Sequence, residues 1–387
     1  MIFDVAIVGG GPVGASVARA LGSTTLQVAV VEPRPAQQLP SAGLDRRVYA
    51  LNRRSRRFLE RLGVWPHLLP ERVSPVLEMR VYGDDNSELQ FSAYRSGVPE
   101  LASIVEESNL RQALQASLSA QEDMTPFWGL ECRTAEWDAR LATLSLSDGQ
   151  RIQARLVVAA DGVSSMVRSA AGIAAQVREY GQTAVVANFK AAHSHRGTAY
   201  QWFLQKRGVL ALLPLADNGV SMVWSAPDLD ARGLLQATAE ELARIVEQAS
   251  GRMLGSLEPL TGAAGFPVRK MRAVRLIAPR LALVGDTAHN VHPLAGQGLN
   301  LGLSDAEALA DVLCAPGMEK DSGAYSLLRR FERGRREDIL AMETLTDGLQ
   351  LLFASDLPGM MQLRSVGLRT VDRISPLKRI LVKRALG

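Results

Sequence analysis

Cysteine is nearly absent from this chain of 387 residues. The only two cysteines, Cys132 and Cys314, form no spaced motif, which argues against a disulfide-rich secreted scaffold. No apolar run is long enough for a transmembrane helix. Asp4 occupies the region in which a signal peptide would carry positive charge. We therefore expect a cytoplasmic protein.

Lysine is also scarce, so the formal net charge of +4 comes mostly from arginine. No basic run with interleaved aromatic residues occurs, and we expect no nucleic-acid partner. The hydrophobic content of 47% is ordinary for a globular protein, and the length allows two domains with sizeable cores. Ser-His-Asp and paired-carboxylate motifs are lacking. His289 and His292 have i, i+3 spacing without a nearby acid, and we expect no metal.

A glycine-rich turn follows the first predicted strand, Phe3 to Val8. The turn matches G-x-G-x-x-G, and a helix and a second strand ending in Glu32 complete a βαβ unit typical of dinucleotide binding. Gly9 would make the tight turn, Gly11 would admit the pyrophosphate, and Gly14 would let the helix pack on the strand. Glu32 would accept hydrogen bonds from the ribose, which favours FAD or NAD over NADP. A tight βα turn without a nucleotide is the alternative.

Two more buried strands are predicted to end at an acid beside a glycine. Ala154 to Ala160 leads into Asp161-Gly162, and Leu281 to Val284 leads into Gly285-Asp286. Strand ends of this kind are where open α/β sheets bind ligands. A capped helix start is the alternative for Asp161, but three such acids in one chain favour a shared nucleotide cleft.

The loop after Asp286 contains Pro293, Gly296 and Gly298, and a helix is predicted from about Leu299. Glycines beside a helix start let backbone N–H groups approach a ligand closely.

Arginines cluster in residues 46–57, where we predict a loop followed by a helix with Leu51, Phe58, Leu59 and Leu62 on its apolar face. Most of these arginines fit a solvated helix face, but one in the loop could pair with a phosphate. A second helix is predicted from Asn109 to Leu118, with Arg111 one residue inside its start, in reach of an anion.

These motifs carry a family resemblance. Gly9-x-Gly11-x-x-Gly14, Asp161-Gly162 and Gly285-Asp286 resemble the three FAD motifs of the group A flavoprotein monooxygenases, the para-hydroxybenzoate hydroxylase type. Within that family, the run from His292 to Leu303 is similar to the ubiquinone-biosynthesis hydroxylases of the UbiH/UbiF/VisC type. Asp45-x-Arg47, Leu62 to Trp65 and Asn109 to Arg111 resemble the same group. The resemblance covers nearly the whole chain and is least distinct at 76–100 and 176–270.

The resemblance implies an α/β fold, in which a Rossmann-like FAD-binding domain carries an inserted α+β substrate domain and C-terminal helices. The expected limits are 1–75, 101–175 and 271–355 for the FAD-binding domain, 76–100 and 176–270 for the substrate domain, and 356–387 for a C-terminal helical segment. The segment 374–386 is basic and amphipathic. It fits a helix that lies on a membrane surface or on a partner, or an ordinary packed terminal helix.

The resemblance also implies a role for each motif. Gly9, Gly11, Gly14 and Glu32 would hold the ADP half of FAD, with Arg47 and Arg111 near its phosphates or ribose. Asp161 and Gly162 would serve both FAD and the reductant, and Gly285-Asp286 would bind the ribityl chain. No catalytic side chain is expected, because the flavin carries the chemistry. The loop against the flavin ring would comprise Pro293, Gly296, Gln297, Gly298, Leu299 and Asn300.

The expected reaction is reduction of FAD by NAD(P)H, formation of a C4a-hydroperoxyflavin with O₂, and oxygen transfer to the aromatic ring of a polyprenylated phenol. The alternatives are an FAD-dependent prenyl reductase, a flavin halogenase and a catalytically quiet FAD-bearing scaffold. A halogenase is disfavoured because Trp202 and Trp224 stand alone, outside a Trp-x-Trp-x-Ile-Pro motif. Peripheral association with the inner membrane, membership of a biosynthetic complex and self-association are left open.

Overall fold

The computed structural model describes residues 2–36, 43–83, 87–291, 296–315 and 321–354. The strands in chain order are β1 Ile2–Val8, β2 Val28–Glu32, β3 Val48–Asn52, β4 Val73–Val76, β5 Glu78–Tyr82, β6 Glu88–Ser92, β7 Ala102–Glu106, β8 Met124–Trp128, β9 Cys132–Trp137, β10 Ala142–Leu146, β11 Arg151–Ala159, β12 Ala175–Ala191, β13 Thr198–Leu204, β14 Gly208–Pro214, β15 Gly219–Pro227, β16 Leu257–Pro259, β17 Ala264–Ala273, β18 Ile277–Ala278, β19 Leu281–Leu283 and β20 His289–Asn290. The α-helices are α1 Pro12–Leu21, α2 Arg53–Arg61, α3 Glu107–Ser119, α4 Met166–Ala170, α5 Asp228–Gln236, α6 Ala239–Ala249, α7 Gln297–Leu313 and α8 Tyr325–Ala354.

The first sheet has the strand order β18-β19-β11-β1-β2-β8, with β10 paired to β11 and β9 to β10. Its central strands β19, β11, β1 and β2 are parallel. They consist almost entirely of buried Val, Ala, Ile and Leu, as expected for strands covered on both faces. Because the strands are parallel, the three predicted strand-end acids emerge at one edge of this sheet.

The second sheet has the order β20-β17-β12-β15-β14-β13-β5-β6, with β16 also paired to β12. Its pairs are antiparallel except β13 with β5. One face packs on residues of α5 and α6, where Trp224, Met222 and Val246 belong to one core. Thr238 and Glu241 exchange the two hydrogen bonds of a capping box at the start of α6.

A third sheet, β3-β7-β4, connects these two parts of the molecule. The prediction that Leu51 belongs to a helix is wrong, because Leu51 lies in β3, which pairs with β7. The helix begins only at Arg53, and Asn52 is its N-cap. The Asn52 side chain accepts a hydrogen bond from the Ser55 N–H at 2.9 Å. Pairing with a distant strand therefore overrides the local helical spacing.

Other predicted boundaries differ by a few residues. Helix α3 begins at Glu107, so Arg111 lies in its second turn rather than one residue inside its start. Helix α7 begins at Gln297, two residues before Leu299. Pro293 and the C-terminal segment 356–387 lie outside the described residues, and the domain limits stay a prediction. Within the described ranges, no helix is both long and apolar enough to span a membrane.

Candidate cofactor and substrate cavity

A cavity of about 1000 Å³ lies where the three sheets meet. One end, here called the polar arm, is lined by residues 9–13, Glu32, Arg47, Asp161 and Asp286. The other end, here called the apolar arm, is lined mainly by the second sheet, with Val81, Phe203, Val209, Ala211 and Val223 among its residues. Residues 296–299, at the start of α7, also line the cavity.

The glycine turn after β1 is shaped by two close backbone contacts. Gly9 has φ +104°, and a Cβ there would lie 2.3 Å from the carbonyl oxygen of Ala160. A Cβ on Gly14 would lie 1.9 Å from the carbonyl oxygen of Gly9. Gly11 differs, since nothing lies within 4 Å of its Cβ position, and it faces the cavity. Helix α1 starts there without a side-chain cap, which suits an anion.

Glu32 lines the polar arm at the end of β2 and also braces the glycine turn. One carboxylate oxygen accepts from the Gly10 N–H at 2.7 Å, and the other accepts from the Arg34 N–H at 3.1 Å. A carboxylate oxygen has capacity for a second hydrogen bond. The predicted contact with a ribose is therefore compatible with this bracing role.

The second and third strand-end motifs contact each other through Thr287. The Gly162 N–H donates to the Thr287 hydroxyl at 2.9 Å, and that hydroxyl donates to Asp161 at 3.3 Å. The buried Arg168 guanidinium donates to the carbonyl oxygens of Thr287 and Val163, both at 2.9 Å. Burial lowers the pKa of Arg168. These bonds hold the two motifs together at the edge of the sheet.

Beneath Gly285 lies a buried charge cluster that the sequence did not indicate. Asp305 of α7 accepts from the Gly285 N–H at 2.9 Å and from Arg335 Nε at 2.8 Å, and it contacts His289 Nε2 at 2.6 Å. The side chains of Asp305, His289 and Arg335 are each at most 2% exposed. Burial alone would raise the pKa of Asp305, but His289 and Arg335 hold that pKa below its ordinary value. A buried carboxylate therefore holds the residue that precedes Asp286.

The start of α7 is held against β3 by Asn300. Its side chain accepts from the Asn52 N–H at 2.9 Å and donates to the Ala50 carbonyl at 2.8 Å. Gly296 adopts φ +63°, and a Cβ there would lie 3.2 Å from the Ala50 Cβ. Gly296, Gln297, Gly298 and Leu299 line the cavity, whereas Asn300 does not. Asn300 thus acts by positioning this loop.

Charged and phenolic groups of the polar arm influence each other. Burial alone would lower the pKa of Arg47, but Tyr49, Glu107 and Asp286 raise it above its ordinary value. The Arg47 guanidinium also lies over the Tyr49 ring, 5.4 Å from its centroid. Burial raises the pKa of Tyr49, which keeps its hydroxyl neutral. Arg47 and Arg111 both line the cavity, where each adds a positive charge.

The structure thus brings together most of the residues expected to bind a cofactor. Gly14 and Gly285 lie behind the lining residues rather than among them, and they act through backbone packing. The residues missed from the sequence are Asp305, Arg335 and Arg168. Of these, only Asp305 could have been identified from the sequence, because it lies among apolar residues of a predicted helix. A charge on the buried face of a helix requires a buried partner.

Comparison with known proteins identifies relatives along the whole chain. Residues 3–346 match the family described as FAD binding domain. The chain is 36% identical to the ubiquinone hydroxylase UbiL of Rhodospirillum rubrum over 387 residues, which is all of this chain and 90% of the relative. It is 33% identical to 3-demethoxyubiquinol 3-hydroxylase of Escherichia coli, covering 99% of this chain and 98% of that protein.

The fold is shared with a solved structure of p-nitrophenol 4-monooxygenase PnpA from Pseudomonas putida. The two superpose with a TM-score of 0.80 at 19% identity, covering 100% of this chain and 99% of the other. PqsL of Pseudomonas aeruginosa, described as a probable FAD-dependent monooxygenase, superposes with a TM-score of 0.77 at 24% identity, covering 96% of this chain and 100% of the other. At these identities the likeness shows the fold alone.

Proposed function

The chain belongs to the FAD-binding family of the ubiquinone hydroxylases, and on that premise we propose that it hydroxylates the aromatic ring of a polyprenylated phenol in ubiquinone biosynthesis. NAD(P)H is the reductant and O₂ the source of the oxygen atom. The observation that carries this proposal is the cavity of about 1000 Å³, whose polar arm suits a dinucleotide and whose apolar arm suits a prenylated ring.

The residues of the polar arm fit FAD. Gly11 leaves open space beside the uncapped start of α1, where a pyrophosphate can approach backbone N–H groups. Glu32 and Asp286 would accept from sugar hydroxyls, and Arg47 and Arg111 would attract the phosphates. Bound FAD supplies electron transfer from NAD(P)H and activation of O₂ for insertion of one oxygen into the ring.

The protein's own contribution is orientation and the exclusion of water. Asn300 holds the loop from Gly296 to Leu299 against β3, so that this loop would present a defined backbone surface to the flavin ring. The apolar arm offers few groups that could bind water, which protects a reactive oxygen donor from decay. The substrate tail would extend toward Phe266, which lines the cavity and is 43% exposed. Peripheral membrane association and self-association stay predictions.

The test is isotopic. Purified protein loaded with FAD is supplied with NAD(P)H, a prenylphenol with three isoprene units and ¹⁸O₂, and the product is analysed by mass spectrometry. We expect one ¹⁸O atom in the ring. Cofactor oxidation without label in any product would contradict the hydroxylase proposal, and O₂-independent reduction of a tail double bond would support the prenyl reductase instead.

Gly298→Val provides a control for this experiment. Nothing lies within 4 Å of the Gly298 Cβ position, so the variant should fold, while its side chain would occupy space next to the proposed flavin ring. We expect unchanged thermal stability of the apoprotein and no labelled product. Labelled product at the normal rate would show that this loop does not face the reacting ring.

A further inference from the structure

The floor of the apolar arm is one face of the second sheet. Neighbouring residues in register form a middle row across five strands: Val81, Gln201, Ala211, Val223 and Val186. A second row, here called the outer row, is displaced from the middle row by two residues on each shared strand. It consists of Phe203, Val209, Ser225, Ala184 and Phe266. All of these residues line the cavity, and intervening residues such as Trp202 and Trp224 point into the opposite core.

Gln201 and Ser225 are the polar exceptions on this floor. Gln201 is 8% exposed and Ser225 5% exposed. Within the described part of the chain, no hydrogen bond to either side chain is found. Neither is among the polar atoms cut off from solvent, so both open onto the cavity. A polar group without a partner in apolar surroundings costs free energy once a ligand excludes water from the cavity, more for an amide with two kinds of polar atom than for a single hydroxyl. A structural role in packing would be met better by Leu or Met at position 201.

The two polar residues occupy different places on the floor. Ser225 belongs to the outer row, which ends at the half-exposed Phe266, whereas Gln201 belongs to the middle row. Gln201 lies about 12 Å from Ser225, since it is two strands away and two residues along. One aromatic ring cannot contact both residues closely.

Gln201 lies toward the loop at the start of α7. Ala199 is two residues away on the same strand face, about 7 Å. Ala199 packs in one apolar cluster with Met79 and Ala50. Ala50 in turn lies beside Gly296. A ring held against residues 296–299 would therefore lie on the side of the floor toward which Gln201 is placed. The positions that flank Gln201 on this face, Val81, Ala211, Ala199 and Phe203, are all apolar.

We propose that Gln201 is a specificity-determining residue that binds an oxygen substituent of the substrate ring. Its Oε1 accepts from a phenol hydroxyl, and its Nε2 can donate to a neighbouring ring oxygen. The proposal rests on the proposed function, because it takes a phenol as the ligand. The amide orients the ring within an otherwise apolar arm, so that the same carbon faces the cofactor in each turnover.

The test compares two ligands on FAD-loaded protein: a prenylphenol with three isoprene units and the prenylbenzene that lacks its hydroxyl. Binding is followed by the change in the visible flavin spectrum, which requires no turnover. We expect the wild type to prefer the phenol by at least about 10-fold, because the prenylbenzene leaves the amide unpaired. Gln201→Met and Gln201→Leu should abolish this preference and bind the prenylbenzene more tightly than the wild type does.

Ser225→Ala is the matched control, since it removes a polar group from the same floor. It should keep the wild-type preference within about two-fold, a change too small to reflect a lost hydrogen bond. Flavin content and thermal stability of each variant report folding separately. The inference would be overturned if the wild type and both Gln201 variants preferred the phenol over the prenylbenzene equally, or if the wild type showed no preference. Either result counts against it even if ¹⁸O is incorporated. Absence of ¹⁸O incorporation with an intact ligand preference would overturn the hydroxylase proposal alone.

Discussion

The polar and apolar arms of the cavity differ in how their polar groups are satisfied. In the polar arm, Glu32 and Asp161 already accept hydrogen bonds from the protein, and Asp305 does the same from behind the lining. In the apolar arm, Gln201 lines the wall with no side-chain partner among the described residues. Glu32, Asp161 and Asp305 are thus positioned by hydrogen bonds from the protein itself, whereas Gln201 in the apolar arm is left for a ligand to satisfy.

Gly14→Ala should break the polar arm most severely. The new Cβ would lie 1.9 Å from the Gly9 carbonyl oxygen, so the glycine turn must move. We expect FAD binding to weaken at least about 100-fold, since the displaced backbone N–H groups would lose hydrogen bonds to the pyrophosphate, each contributing about 1.5–3 kcal/mol. Flavin content after purification and titration of the apoprotein with FAD measure the effect.

Gly11→Ala is the control, because it should weaken FAD binding without disturbing the fold. Its Cβ meets no protein atom within 4 Å, so the apoprotein should keep its thermal stability while FAD binding weakens. If Gly14→Ala bound FAD as tightly as the wild type, the close packing of turn and helix would not matter for the cofactor.

Asp305→Asn should have the next largest effect on flavin binding, together with a loss of stability. It removes the buried charged partner of the Arg335 guanidinium and leaves only the exposed Asp338, at a cost of about 3–5 kcal/mol. Asp338→Asn is the control, because Asp338 also pairs with Arg335 but is 54% exposed. Its removal should cost less than about 1 kcal/mol. Urea unfolding of both variants measures the difference.

The same carboxylate predicts a pH dependence. Because the pKa of Asp305 is lowered in the folded protein, its contribution is fully present above the unfolded value, near pH 4, and is lost as the pH falls toward the folded value. The wild type should therefore lose stability on acidification more steeply than Asp305→Asn. Parallel stability curves for the two proteins between neutral and acid pH would contradict this assignment.

Ala211→Leu should have the smallest effect on flavin binding. It therefore tests whether the apolar arm can be changed without affecting the polar arm. Ala211 lies next to Gln201 on the floor of the apolar arm, and the larger side chain enters the cavity rather than the core. We expect FAD affinity to stay within about two-fold and prenylphenol binding to weaken about 10-fold, since substrate space is lost while the polar arm is untouched. Flavin loss comparable to that of Gly14→Ala would show that the two arms are not independent.

The sequence predicted the polar arm better than the apolar arm. Gly9 to Gly14, Asp161-Gly162 and Gly285-Asp286 are short motifs, and each needs only a strand end and a glycine to be recognised. Helical spacing wrongly places Leu51 in a helix. The strand Val48–Asn52 is instead stabilised by pairing with β7, some fifty residues away in the chain. The sequence does not single out Gln201, because polar residues are common in alternating strands. Its setting is recognised only when its neighbours across the sheet are known.

By itself, the sequence determined the α/β class, the dinucleotide turn and the three strand-end acids, since backbone conformation and strand burial are local properties. Only the tertiary structure decided that Asn300 clamps a strand 248 residues earlier, and that Asp305 joins Gly285, His289 and Arg335. The same holds for the isolation of Gln201 among apolar neighbours. The physical reason is that the free energy of a polar group depends on which distant segments surround it once the chain has folded.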